Sequence, residues 1–270
     1  MNILNTIIKK PPNQCIFCNS NKEKFSSEEH IVPQSLGNHF LTLEKGWVCD
    51  KCNNICSAFE SKVINHTIFG AERAMLGVIT KKGKPARSKF GKLHWNTSLH
   101  KKGAIEFDKK DIDKHPFLSK CFKNGQLIIP FHSKFDIYIA KLLLKIGIES
   151  KYMHSGMDKF KFNESKQFVI GKNNNSWPYV LIQQKNISTE IFTSAFSESK
   201  YLHSHALASG FDIFFYDIHK KYDIDESIVL FFKYGHFTYG INLSSRKIEW
   251  FNLLKDAQIE FIKCPIEFNI

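Results

Sequence analysis

Four cysteines define the first chemistry open to this chain: Cys15 and Cys18 in CIFC, and Cys49 and Cys52 in CDKC, a C-x2-C-x30-C-x2-C arrangement. Two thiolates three residues apart can face one ion, and two such pairs complete the tetrahedral shell that zinc prefers. The spacing predicts a structural zinc site. The total of seven cysteines is odd, and in a reducing compartment two close pairs argue for metal over disulfides. Cys56, Cys121 and Cys264 have no comparable partners and read as small buried residues.

A closed zinc shell does no chemistry, so any activity must come from what the knuckles position. Between them runs EEHIVPQSLG (28–37), which sets Glu29 beside His30. In a strand, neighbouring side chains point to opposite faces, so this pair meets one bound group only if the segment twists there. Pro33 then ends or turns the strand. Directly after the second knuckle comes Asn53, and Glu60 follows seven residues on, two helical turns away and on about the same face. A β-ribbon with an acid and a histidine, braced against a helix with an amide and an acid, is a frame for a hard cation such as Mg2+. The chain has 12 histidines, and His30 stands out only by its place between the knuckles and beside Glu29.

CIFC (15–18), EHIVPQSLGN (29–38), VCDKCNN (48–54) and FE (59–60), in that order, resemble the HNH endonuclease family over about residues 13–75. That resemblance implies a ββα-metal fold braced by four cysteines around one catalytic divalent ion, Mg2+ or Mn2+. It implies that His30 is the general base, taking a proton from the attacking water as an imidazole neutral near pH 7 can. Glu29 matches the acidic metal-binding position. Asn53 stands where the motif's last histidine or asparagine lies, as a second metal ligand; Asn54 competes for that place, and Glu60 is a third candidate. The middle Asn of the motif has Glu44 at its position here, so fixing the loop falls to Asn38 or to the backbone. The implied reaction is phosphodiester hydrolysis, with DNA as the expected partner and RNA left as an alternative. The rival reading is a zinc-knuckle module that binds nucleic acid without cutting it. A carboxylate aimed at a phosphate repels it unless a cation lies between, which favours the nuclease.

The elements that must hold these residues follow from periodicity. Phe59, Val63, Ile64, Ile68 and Ala71 predict a helix over 59–75, broken near Gly70 or Gly77. TKKGKPARSKFGK (80–92) predicts a basic loop or hairpin whose Lys81, Lys82, Lys84, Arg87, Lys89 and Lys92 could neutralise phosphates. The boundary is placed just beyond it, giving a nuclease domain at 1–95 and an α+β domain of unknown role at 96–270. In the latter, FDIYIAKLLLKIGIE (135–149) predicts a buried helix capped near Gly147. YVLIQQ behind Pro178, FDIFFYDI (211–218) and SIVLFFKYGHFTYGINLS (227–244) predict strands, the last a hairpin turning near Tyr234-Gly235. The expected class is α+β with a mostly antiparallel sheet, and its phenylalanines suit a core better than a base-stacking platform.

Charge supports a polyanionic partner. The net +12 is uneven: residues 1–95 hold 14 Lys and Arg against 7 Asp and Glu, about two and a half times as basic per residue as the rest. No stretch approaches the roughly 18 apolar residues of a membrane span, and the start lacks the pattern of a secretory signal. A cytoplasmic protein is therefore expected. A role in restriction or phage defence, and a homodimer or regulatory partner held through residues 96–270, are expectations drawn from family habit.

Overall fold

A computed structural model describes residues 11–90, 93–97, 105–107, 122–123, 126–127, 135–155, 162–173, 175–183, 200–206, 211–218 and 227–252. Lys92, Cys121 and Cys264 lie outside them.

The first elements of the described residues are a two-stranded antiparallel ribbon, β1 (Glu29–His30) and β2 (Thr42–Leu43), with Glu29 opposite Leu43 and His30 opposite Thr42. A short 3-10 turn at Gln34–Leu36 follows Pro33, whose fixed φ ends β1. Helix α1 (Asp50–His66) starts from Cys49 in extended conformation. Its buried Cys52, Cys56, Phe59 and Val63 recur every three or four residues and make one apolar stripe. Asp50 in its first turn, where a negative charge is favoured, accepts from Ser26 N at 2.9 Å and Ser26 Oγ at 2.6 Å.

The helical stretch stops at Met75, just before Gly77 with φ +69°, as expected, and an earlier interruption comes not at Gly70 but at Thr67. This residue is extended, with φ −128° and ψ 178°; its hydroxyl donates to Val63 O at 2.7 Å and accepts from Phe69 N at 3.3 Å. One β-branched side chain thus closes α1 and opens α2 (Ile68–Met75), and Gly70 lies inside α2. Next come a three-stranded antiparallel sheet, β3 (Arg87–Phe90), β4 (Leu93–Thr97) and β5 (Ile105–Phe107), and a small pair, β6 (Phe122–Lys123) and β7 (Gln126–Leu127). The boundary expected after residue 95 falls within β4, which pairs with strands on both sides of it.

Helix α3 (Asp136–Ser155) is buried on every side from Ile139 to Met153. It runs through Gly147 and does not stop there. A Cβ at 147 would come within 2.5 Å of Leu243 Cδ2, so this glycine admits a close sheet contact. After α4 (Asn163–Val169) come β8 (Tyr179–Gln183), β9 (Lys200–Ala206), β10 (Phe211–Ile218), β11 (Ser227–Tyr234) and β12 (Phe237–Asn242). They form one antiparallel sheet in the order β8-β12-β11-β10-β9, and the predicted hairpin turns at Gly235, φ +58°.

Central β11 is covered on both faces. Phe231 meets Trp250 edge to face at 5.9 Å, while Phe232 and Tyr234 stack on Phe69 of α2, as does Tyr239 of β12 at 4.6 Å. Phe69 is fully buried, worth about 2–3 kcal/mol by the area it removes from water. The core is continuous from Cys15 and Trp47 through Phe59 and Leu144 to Tyr239 and Leu243. Among the described residues no helix is long and apolar enough to cross a membrane.

Candidate active site and four-cysteine centre

The Sγ atoms of Cys15, Cys18, Cys49 and Cys52 lie within 4.8 Å of one another, and Cys18 and Cys49 are 3.7 Å apart. Zn–S bonds of about 2.3 Å put tetrahedral sulfurs roughly 3.8 Å apart, so the donor set and its size fit zinc. Two local features build it. The first knuckle turns back on itself through Cys15 N to Ser20 O at 2.9 Å and Asn19 N to Cys15 O at 2.8 Å; the second is the N-terminus of α1. Ile16 N to Trp47 O at 3.0 Å ties the two together. The hydrogen bond from Cys52 holds Cys15 down to about 4, whereas burial pushes Cys49 up to about 11 and the bond to Cys15 raises Cys52. Thiolates this close together need a cation between them, which zinc would supply.

From this brace the chain reaches β1. Asn38, fully buried, closes the loop between the two strands of the ribbon: Nδ2 donates to Val32 O at 2.7 Å and Leu41 O at 2.8 Å, and Oδ1 accepts from Leu41 N at 2.8 Å and Phe40 N at 3.2 Å. Of the two alternatives for the loop-fixing role, the asparagine side chain performs it, and Glu44 is exposed.

The alternation along β1 separates its two chemical residues. Glu29 points inward and is 5% exposed; His30 is half-buried. Burial, then the charges of Lys145 and Lys81, lower the His30 pKa, so its imidazole is neutral near pH 7 and able to take a proton. Asn53 is half-buried and donates to Ser27 Oγ at 3.0 Å, whereas Asn54 is exposed. Glu60 lies two turns beyond Asn53, on the inner part of α1.

One residue missed by sequence reasoning joins Glu29 to Glu60. Lys145 of α3, wholly buried, places Nζ 2.6 Å from Glu29 Oε1, 2.9 Å from Glu60 Oε1 and 3.3 Å from Glu149 Oε2. It also donates to His30 O at 2.5 Å. Burial opposes this charge, but Glu149, Glu29 and Glu60 outweigh it and hold the ammonium protonated far above its usual range. Burial raises the Glu29 and Glu149 carboxyls, with Lys145 pulling the other way. The available signal was charge at 141, 145 and 149, every fourth position of an otherwise apolar helix; buried lysines need partners. With Lys145 seated, Glu29 and Glu60 do not fit a divalent ion, because an ammonium already fills the space their oxygens converge on.

Beside this cluster runs a basic groove. A recess lined by Ser57, Glu60, Ser61, Asn65 and Arg73 shares Asn65 and Arg73 with a larger cavity of about 600 Å3 that Lys82, Lys84 and Arg87 also line. Arg73 Nε has no hydrogen-bond partner among the described residues. Lys81 is exposed and close enough to affect His30. The side chain of Lys89 lies outside what the structure describes.

An N-terminal ββα unit clamped by four cysteines, with an acid–histidine pair on its ribbon, defines the class. Residues 15–67 match the family model for HNH endonuclease, so this part of the chain is an HNH domain carrying the four-cysteine site. Neither a curated protein nor a solved structure matches the chain.

Proposed function

We propose that this protein is an HNH endonuclease that hydrolyses phosphodiester bonds in DNA. The observation that carries the reading is His30, kept neutral by its surroundings, on the zinc-braced ribbon near Glu60, whose recess runs into a groove lined by Arg73, Lys82, Lys84 and Arg87.

The groove cations bind backbone phosphates, whose charge dominates affinity for any nucleic acid. His30 takes a proton from water as the water oxygen bonds to phosphorus, and the bond from phosphorus to the leaving sugar oxygen breaks, its electron pair departing with that oxygen, which takes a proton from solvent. The zinc centre and the Asn38 loop hold the ribbon so that His30 keeps its aim. The HNH family generally uses a divalent metal, and Mg2+ or Mn2+ at Glu29, Asn53 and Glu60 belongs to this reading only in an arrangement from which Lys145 has withdrawn. A setting in defence against foreign DNA, inside the cell, accompanies the proposal.

A second reading has its own support. The seated Lys145 favours a binder that does not cut, since its ammonium already occupies the place between the acids that a metal would need.

Supercoiled plasmid and a matched RNA, incubated with the protein and with His30→Ala in Mg2+, Mn2+ or EDTA, separate the two. The nuclease gives nicked or linear DNA that requires His30. A salt-sensitive gel shift with no product under any condition supports the binder.

A further inference from the structure

We propose that the ammonium of Lys145 and a divalent cation are alternative occupants of the Glu29–Glu60 carboxylate pair, so that α3, seated on α1, holds this site shut against metal. The inference rests on the reading of Glu29 as the metal-facing acid of an HNH site.

Three observations carry it. The first is position. Nζ lies 2.6 and 2.9 Å from the two carboxylates, and a hard cation contacts its oxygen ligands at about 2.0–2.6 Å. Both cations would occupy nearly the same point, and like charges that close in a buried site exclude each other.

The second is spare acceptor capacity. One ammonium faces three carboxylates, and Glu29 Oε2 and Glu149 Oε1, both buried, have no hydrogen-bond partner among the described residues. A purely structural ion pair normally matches its charges and satisfies its oxygens. This cluster leaves two buried carboxyl oxygens that a cation with more coordination positions than an ammonium could satisfy.

The third is origin. Lys145 comes from α3, beyond the matched segment 15–67, and lies on a helix face where every neighbour is buried. Its bonds to Glu29 and to the carbonyl of His30 make the seating of α3 report directly on the strand that bears both residues. Whatever shifts α3 relative to α1 therefore opens the carboxylates and loosens β1 in one motion.

The test is Mn2+ binding by the zinc-loaded full chain, read by calorimetry and by the electron paramagnetic resonance signal of free Mn2+. Lys145→Met and the polar Lys145→Gln should each gain one Mn2+ roughly tenfold or more tighter than wild type. Added Mn2+ should raise their melting temperatures, and Glu29→Gln on either background should abolish the gain. A folded Lys145 variant with unchanged zinc and no tighter Mn2+ overturns the proposal. So does a wild-type protein that binds Mn2+ at a site lost in Glu29→Gln while exchange of the α3 amides stays unchanged. If neither variant folds, exchange in the wild type decides: saturating Mn2+ should speed it across residues 141–151, and no change overturns the proposal. None of these readouts needs cleavage, so failure of the nuclease reading alone would appear as metal exchange without any cut substrate.

Discussion

The carboxylate of Glu72 on α2 accepts the backbone N–H of His236 at 2.9 Å and faces its Nδ1 at 3.0 Å, joining the helix beside the HNH segment to the β11–β12 turn across 164 positions of chain. Glu72 is 1% exposed, and burial raises its pKa above the ordinary 4.5 despite the His236 contacts. A raised folded-state pKa means that the protonated form fits the fold better. The stability this gives is complete below pH 4.5 and is lost as pH rises through the raised value. Glu72→Gln, which keeps an acceptor and loses the titration, should gain stability relative to wild type as pH rises from 4.5 to 8 in urea denaturation. A stability difference that stays constant across that range would refute this.

The same contact makes Gly235 intolerant of a side chain. Its φ is +58°, and a Cβ would collide with Glu72 Oε2. Gly235→Ala should cost roughly 2–4 kcal/mol, the strain of a left-handed alanine plus overpacking, and a melting curve within error of wild type would show that the turn yields instead.

Asn38→Ala removes four hydrogen bonds made by a fully buried side chain and leaves the carbonyl of Val32 without this donor, while Leu41 O keeps only Ile31 N at 3.1 Å. At about 1 kcal/mol for each bond, a loss of roughly 3–4 kcal/mol is expected. Asn38→Asp, which keeps the acceptor but aims a carboxylate at two carbonyls, should fare no better. Equal stability for Asn38→Asp and wild type would mean that the donor half of the network contributes nothing.

Cys15→Ser should lower zinc content and melting temperature together, since the ion's binding energy is folding energy where a site forms only in the native state. Metal analysis by mass spectrometry checks it; a full complement of tightly held zinc in the variant would dismiss the four-cysteine site.

Replacing Lys82, Lys84 and Arg87 by Ala should weaken binding of any DNA sequence about equally and flatten its salt dependence, by a slope of about one for each phosphate no longer neutralised. Fluorescence anisotropy from 50 to 200 mM salt, about the range where such charge pairing matters, reads both quantities. An unaltered slope would place the phosphates elsewhere.

Sequence alone determined the features that depend on short spacing. CIFC and CDKC specify a four-sulfur cluster because both pairs are local turns. EHIVP specifies a ribbon with its acid and histidine on opposite faces because strand period is two. The buried helix at 135–149 and the hairpin at Gly235 followed from periodicity and from one residue free to take positive φ. Gly77 did end its helix, but the signals at Gly70 and Gly147 misled: Thr67 broke the first stretch and capped α2, while Leu243 pressed on Gly147 inside α3.

Tertiary structure decided how the two parts of the chain meet. No spacing rule connects Lys145 to His30 across 115 positions, or Glu72 to His236 across 164. Those pairs exist because α2 and α3 pack on both the antiparallel sheet and α1, carrying charged side chains into a core where only an opposite charge or a backbone group can satisfy them. The sequence thus sets Glu29 beside His30 and pairs the four cysteines, and the packing of α3 on α1 brings Lys145 to Glu29 and Glu60.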